Sequence, residues 1–406
     1  MNTLTTDVCV VGGGPAGLAL ALGLARDGHQ VVVLEQSPRF DRSFRGESLS
    51  PDGVWLLDQL GVLDDVVSRG ALTVERLEIS EGSRTVLRTE FADFAYARRY
   101  PMEIPQPTLL ASLADAAADH PGFDLRRGWT CTGLIEEAGV VTGVRYRGPD
   151  GPGEVRASLV VGADGRYSKV RSMSGLAHEK RPLERDVVWL RTPRPEAWDR
   201  GVYRIRLQGA RHGLFIPTHP DDVRIGFNIP KGGLRELRSE GIGALHRTLD
   251  TLAPELSGTV RETVTDWAGT TVLDIFTVET PQWSRPGLAL IGDSAHTLTP
   301  ILGQGVNHAL IDGHVLAGLL DRPLRAAGGR RADLVGVALA RFQAERQQAV
   351  RISRSLQLRQ ERAFTLGSRP AVAARSALYR AMHASTFLQR RILCTAYFQL
   401  QPELAA

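Results

Sequence analysis

The sequence predicts an α/β fold in which a Rossmann-type βαβ unit opens the chain, an antiparallel sheet fills its middle and helices close it. Three observations carry this expectation. Residues 7–11 are a β-branched run that passes through Gly12-Gly13-Gly14-Pro15-Ala16-Gly17 into an Ala- and Leu-rich segment reaching Ala25, which reads as strand, tight turn and helix. Residues 202–207 and 223–229 alternate apolar with polar side chains, the period of a half-covered strand. From Ala332 to about Gln399 the pattern is helical, with a break near Gly367 and Pro370.

In the first unit each glycine has its own task. Gly12 permits the tight turn, Gly14 lets backbone approach a pyrophosphate, and Gly17 lets the helix pack on the strand. Pro15 and Ala16 start that helix, whose unpaired amides face phosphate. After Gly28 a second strand, residues 30–34, ends in Glu35, whose carboxylate suits the two hydroxyls of an adenosine ribose. An acid there disfavours a 2′-phosphate, so the site fits FAD or NAD rather than NADP. Further on, Phe44-Arg45-Gly46-Glu47-Ser48-Leu49-Ser50-Pro51 leads into a helix with Ser50 as N-cap and Pro51 as first residue, expected to end at Gly61. By themselves Arg45 and Glu47 make a local ion pair.

Two later stretches follow: Val160-Val161-Gly162-Ala163-Asp164-Gly165-Arg166-Tyr167-Ser168-Lys169-Val170-Arg171, and Gly292-Asp293-Ser294-Ala295-His296 running on to Pro300, Gly303-Gln304-Gly305 and Asn307. With the first motif they resemble the para-hydroxybenzoate hydroxylase family of FAD-dependent aromatic hydroxylases, over most of about the first 320 residues. The resemblance implies a Rossmann-type FAD-binding domain joined to an antiparallel-sheet substrate domain and C-terminal helices. It implies a class A monooxygenase: FAD held tightly without a covalent link, NADPH or NADH as co-substrate, and O2 used through a flavin C4a-hydroperoxide. The substrate class would be an aromatic or polyketide-like small molecule, in a tailoring step of secondary metabolism or antibiotic biosynthesis.

Residue roles follow from the same resemblance. Asp293 holds the ribityl chain, and Asp164 supports the pyrophosphate region. Gly303, Gly305, Val306 and Asn307 open a helix, expected to reach about Leu320, whose amides face N1 and the C2 carbonyl of the flavin ring, where reduced flavin collects negative charge. Pro300 lines the flavin face where oxygen and substrate meet, with a rigid turn as the alternative. Arg45 and Gln106 fall where relatives touch the flavin, Gln106 just ahead of a helix from about Pro107. His296 takes a place that is structural in the family.

In the middle sheet, Tyr203, Ile205 and Leu207 alternate with Arg204 and Arg206, and Val223, Ile225, Phe227 and Ile229 repeat the pattern. In the resembled family such a sheet roofs the substrate cavity. Trp189, Tyr203, Phe215, Phe227 and Trp267 are therefore candidate walls, with plain core packing as the other reading. The expected partition assigns residues 1–72, 98–180 and 279–330 to a discontinuous FAD-binding domain, 73–97 with 181–278 to the substrate-binding sheet, and 331–406 to a C-terminal helical segment.

Composition is that of a globular chain long enough for two packed domains, with 43% hydrophobic and 23% charged residues. The formal charge of +4 and pI of about 9.1 are nearly all arginine, since Lys169, Lys180 and Lys231 are the only lysines. No run of like charges occurs, which reads as a solvated surface and not as a nucleic-acid partner. Cys9, Cys131 and Cys394 lack disulfide or metal spacing, so no metal is expected and a reducing cytoplasm fits. Glycines 12–14 and Pro15 interrupt the apolar stretch 8–25, which argues against a membrane span.

Three rival readings stay open. A flavin-dependent halogenase shares the look of residues 45–51, although His212 and Leu214 stand where its tryptophans belong ahead of Ile216-Pro217. A reductase of the geranylgeranyl reductase type would turn over without oxygen. A non-redox cyclase would use FAD only to shape the cavity.

Overall fold

The computed structural model describes residues 2–41 and 46–401. The strand Asn2–Val11 ends at the glycine turn, where Gly12 adopts φ +111° and donates its N–H to Leu34 O at 2.8 Å. A Cβ on Gly12 would lie 2.4 Å from Ala163 O, and one on Gly17 would lie 2.0 Å from Gly12 O. Both glycines are therefore dictated by the chain's own close approaches. The helix Pro15–Arg26 is buried almost all round because it sits between the sheet and the helix Gln304–Arg325. There a Cβ on Gly313 would meet Ala16 O at 2.4 Å, so backbone lies against backbone.

The first sheet runs Ser284–Arg285, Leu288–Leu290, Gly151–Gly162, Asn2–Val11, Val31–Glu35, Phe123–Arg127. The strands Val140–Gly148 and Thr130–Glu137 branch from Gly151–Gly162 as an antiparallel extension. Register explains why distant motifs meet. Val11 stands beside Gly162 and Leu34, and Gly162 stands beside Leu290. Four parallel strands thus end together, and the turns after them open on one edge, where α/β sheets bind ligands.

The second sheet runs Thr271–Leu273, Arg185–Pro193, Asp222–Pro230, Arg211–Thr218, Val202–Gln208, Arg76–Glu81, Arg84–Glu90. It departs from a wholly antiparallel sheet at one pair, Val202–Gln208 with Arg76–Glu81, which run parallel. These strands come from separate passages of the chain, so no hairpin fixes their direction. The helices Ile242–Leu252 and Ser257–Thr263 cover one face through Leu245, Leu249, Leu252 and Val260. From strand membership we propose the domain partition given above. The helices Gly329–Phe364, Arg369–His383 and Thr386–Tyr397 follow, broken around Gly367. No helix among the described residues is long and apolar enough to cross a membrane.

Two buried histidines couple this fold to pH. His212 is 2% exposed and lies against Phe364, and burial, helped by Arg185 and Arg375, pushes it down to about 3. Burial, then Arg346 and His296, hold His308 well below its ordinary value. Both are neutral when folded and gain a proton when unfolded, near pH 6.5. Their contribution is fully present above about pH 6.5 and is lost as pH falls toward the depressed folded values, by at most about 1.4 kcal/mol per pH unit for each histidine. Urea unfolding followed from about pH 7.5 to about pH 5 should show the midpoint falling, with a shallower fall in His212→Leu. A midpoint independent of pH over that range contradicts this account.

Candidate active site

A single cavity of about 440 Å³ runs along the edge where the parallel strands end and continues beneath the second sheet. At one end it is lined by Gly12, Gly14, Pro15, Ala16 and Glu35. The Glu35 carboxylate, 5% exposed, accepts from Gly13 N and Ser37 N, both at 2.8 Å. Gly14 differs from its neighbours, since a Cβ there would meet no protein atom within 4 Å. The space its missing side chain leaves clear is the cavity, beside the start of the helix Pro15–Arg26. That is the cradle an anionic dinucleotide needs, with amide donors and a helix N-terminus at van der Waals approach.

The second and third motifs are tied to each other. Asp164 accepts from Ser168 Oγ, from Lys169 N at 2.8 Å, from Val170 N at 3.1 Å and from Ser294 Oγ at 3.2 Å. Arg171, whose guanidinium burial holds below its ordinary pKa, donates to Asp293 O at 3.2 Å, Ser294 O at 2.8 Å and Arg166 O at 2.9 Å. Asp293 lines the cavity from the turn so braced. With its oxygens taken up by the chain, Asp164 braces the two turns.

Beyond Asp293 the chain makes a sharp reversal. Leu302 and Gly303 are successively left-handed, at φ 65° and 61°, and the helix Gln304–Arg325 starts there with Gly303, Gly305 and Val306 on the cavity. A left-handed leucine costs roughly 1–2 kcal/mol. Gln357, fully buried on the helix Gly329–Phe364, offsets it by bracketing the turn: Oε1 accepts from Thr299 N at 3.2 Å and Nε2 donates to Ile301 O at 2.8 Å. Pro300, between those two anchors, lines the cavity. Asn307 does not line it. Its Oδ1 accepts from Ser50 N at 2.9 Å and its Nδ2 donates to Gly303 O at 2.9 Å, clamping residues 48–50 to the helix start.

The roof contributes a buried polar junction. Arg224 donates to Glu47 Oε2, to Ser48 Oγ at 3.1 Å and to Glu103 Oε2 at 3.0 Å, and lies 5.3 Å over the Trp189 ring. Tyr203 Oη donates to Glu103 Oε1 at 2.6 Å. Burial pushes the Glu103 carboxyl up in spite of Arg224, and burial with the neighbouring Glu103 raises the Tyr203 phenol well above its ordinary value. Tyr203 therefore stays protonated, and it lines the cavity.

Among the candidate walls, Trp189 and Tyr203 line the cavity, whereas Phe215, Phe227 and Trp267 do not. The register gives the reason. Ile205, Leu214, Gly226 and Trp189 align across the sheet on the cavity face, so Phe215 and Phe227 point to the helices on the other side, where Trp267 also packs. Gln106 lines the cavity as the first residue of the helix Gln106–Ala118. Arg45 lies outside the described residues. His296 is held by Asp312 Oδ2 at 2.6 Å, away from the cavity. Arg224, Glu103 and Gln357 went unrecognised in the sequence. So did the C-terminal wall of Phe364, Tyr379, Met382, Leu393 and Tyr397. Arg224 sits at a polar position of an alternating strand, which looks solvent-facing until the other half of the fold covers it.

Comparison with known proteins agrees with this geometry. The model of the family described as FAD binding domain matches residues 5–350. A 6-methylpretetramide 4-monooxygenase of Streptomyces rimosus is 36% identical over 352 residues, 86% of this chain and 82% of that one. Pseudomonas aeruginosa PqsL, solved in complex with 2-aminobenzoylacetate, superposes with a TM-score of 0.79 at 26% identity, covering 91% of this chain and 99% of that one. The anhydrotetracycline hydroxylase OxyS of Streptomyces rimosus has the same fold, with a TM-score of 0.74 at 20% identity over 97% of this chain and 76% of that one.

Two substitutions test the site. Replacing Glu35 with Ala should weaken FAD binding by roughly ten- to hundredfold, the scale of one or two hydrogen bonds to a carboxylate, read by fluorescence titration of the apoprotein. Unchanged affinity would remove Glu35 from the site. Arg224→Met strips the cation from between two buried carboxylates and should cost about 3–5 kcal/mol in urea unfolding, part of it recovered by adding Glu103→Gln.

Proposed function

The chain belongs to the FAD-dependent aromatic monooxygenases, and from that premise we propose that it oxygenates a fused-ring aromatic of polyketide type that carries a phenol or enol oxygen. The enzyme works with FAD, NAD(P)H and O2. The substrate class is supported by the 36% identical relative named for 6-methylpretetramide and by the apolar lining of the far end of the cavity. That end carries the reading. Leu77, Ile79, Ile205, Leu214 and Ile216 from the sheet and Phe364, Met382 and Leu393 from the C-terminal helices give it an apolar lining.

FAD, when bound, supplies the oxygen-transferring chemistry. The chain's residues divide the remaining work. Glu35 would hold the adenosine ribose, the amides at the start of the helix Pro15–Arg26 the pyrophosphate, and Asp293 the ribityl chain. The first amides of the helix Gln304–Arg325, with Pro300 and Gln106, would hold the flavin ring, the amides stabilising the negative charge it gains on reduction. Tyr203 Oη, which keeps its proton in the hydrogen bond it donates to Glu103, accepts a hydrogen bond from a substrate hydroxyl and so orients the ring that receives oxygen. The apolar walls exclude water from it. Asp164, Asn307 and Gln357 position these groups through the backbone.

Holoenzyme should oxidise NADPH or NADH faster in the presence of hydroxylated fused-ring aromatics, with product mass raised by one oxygen atom. Tyr203→Phe should raise KM for a phenolic substrate by roughly fivefold or more, the value of one hydrogen bond. Stimulation only by single-ring phenols would overturn the substrate class, and a halogenated product in the presence of halide would overturn the reaction assigned.

A further inference from the structure

Charge is unevenly placed in this chain. Residues 346–406 hold ten arginines against two glutamates, a formal +8 within a chain of +4, so the preceding 345 residues are net −4. Three of the ten are engaged inside the molecule: Arg346 with Asp312, Arg354 with Glu279 and Arg375 with Glu81. The other seven are exposed, and none has a carboxylate at ion-pair distance among the described residues.

The helix Thr386–Tyr397 carries part of this charge on a face that is also apolar. Its inner side presents Leu393, Ala396 and Tyr397 to the cavity. At 100° per residue the outer side reads, in angular order, Arg390, Phe387, Arg391, Leu388, Ile392. Phe387 is 68% exposed, Leu388 39% and Ile392 40%. The neighbouring helix Arg369–His383 also exposes Arg380 and, on its opposite flank, Leu378, the latter 61% exposed. Ile392 belongs to both surfaces, since it also lines the cavity. A cationic and apolar outer face thus shares one helix with the wall of the chamber that receives substrate.

Charge decides what can cover such a face. A second copy in a two-fold contact would set arginine against arginine. An anionic bilayer surface satisfies both components, with guanidinium groups at headgroup phosphates and phenylalanine, leucine and isoleucine in the interfacial layer. We propose that the two C-terminal helices dock in the plane of an anionic membrane surface, with the cavity wall against the lipid. Attachment is peripheral and reversible, and an apolar substrate partitions between bilayer and chamber. The docking rests on charge and exposure alone. The partitioning step rests also on the monooxygenase reading, and the two are measured separately.

Holoenzyme is sedimented with vesicles of phosphatidylcholine alone and of phosphatidylcholine with about 30% phosphatidylglycerol, at low and high salt. Binding is expected to the anionic vesicles only, and to weaken as salt rises. Each arginine near the surface is worth about fivefold in partitioning, so Arg380→Glu with Arg391→Glu should lower it at least about tenfold. Phe387→Ser with Leu388→Ser should lower it as well. Both pairs should leave FAD content and NAD(P)H oxidation with a soluble phenol unchanged. Equal binding to neutral vesicles, or none to anionic ones, overturns the proposal. So does a dimer in light scattering that Phe387→Ser with Leu388→Ser dissolves, or saturable binding of a purified acidic protein without vesicle binding.

Discussion

The carboxylate of Asp312 holds together the parts of the molecule on which the cavity depends. Fully buried on the helix Gln304–Arg325, it accepts from Gly292 N at 2.9 Å, from His296 Nε2 at 2.6 Å and from Arg346 Nε at 2.8 Å. Burial alone would push this carboxyl up, but His296 and Arg346 together outweigh it and hold it well below the usual carboxylate range. One side chain therefore fixes the turn that carries Asp293, the helix whose first amides face the cavity, and the long C-terminal helix that carries Gln357. The network runs on from Arg346 to His308 and Ser353. Breaking it would leave a buried guanidinium without its counter-charge, the costliest kind of loss in a protein interior.

From that fixed frame the cavity takes two different characters. Along the strand ends the groups that face it are mostly backbone amides and carboxylates braced by backbone, which suits a constant cofactor. Beneath the roof its walls are side chains on a sheet and on helices. There Trp189 lies over Gly226, where a Cβ would come within 2.7 Å of its ring, so the glycine exists to let the indole lie flat. Arg224, on the same face, closes the seam between roof and floor by reaching Glu47, Ser48 and Glu103. A substitution in the walls can reshape the substrate end without touching the amides at the other end.

Much of this was legible in the residues. The βαβ unit, the three motifs, the cap at Ser50 and the alternation in the roof strands are local patterns, and local patterns survive in one dimension. Which face of an alternating strand meets the cavity is not local. Tyr203 and Ile205 face it as the apolar members of their strand, whereas in the strand Asp222–Pro230 the apolar members Ile225 and Phe227 face the helices and Arg224 faces the cavity. The rule "apolar inward" gives opposite answers because both faces are covered. Phe215, Phe227 and Trp267 look like cavity walls for that reason, and Arg224 looks like a surface residue. Gln357 and Glu103 carry no sequence signal, since each gains its role from partners tens to hundreds of residues away.

The C-terminal helices are both wall and surface of this molecule. They are fastened to the rest of the molecule from within, by Arg346 on Asp312, Gln357 on the Pro300 turn and Arg375 on Glu81. Their inner faces complete the chamber, so they belong to the enzyme proper. Elsewhere about half of the described arginines pair with carboxylates, as with Arg194 and Asp221 or Arg261 and Asp250. On the outer faces of these helices that habit stops, and exposed phenylalanine and leucine replace the missing acids. Solubility alone would not select such a surface, because unpaired charge and exposed apolar area work against each other in water. At an anionic interface the two add, which places the chamber's apolar wall where an apolar substrate is most concentrated.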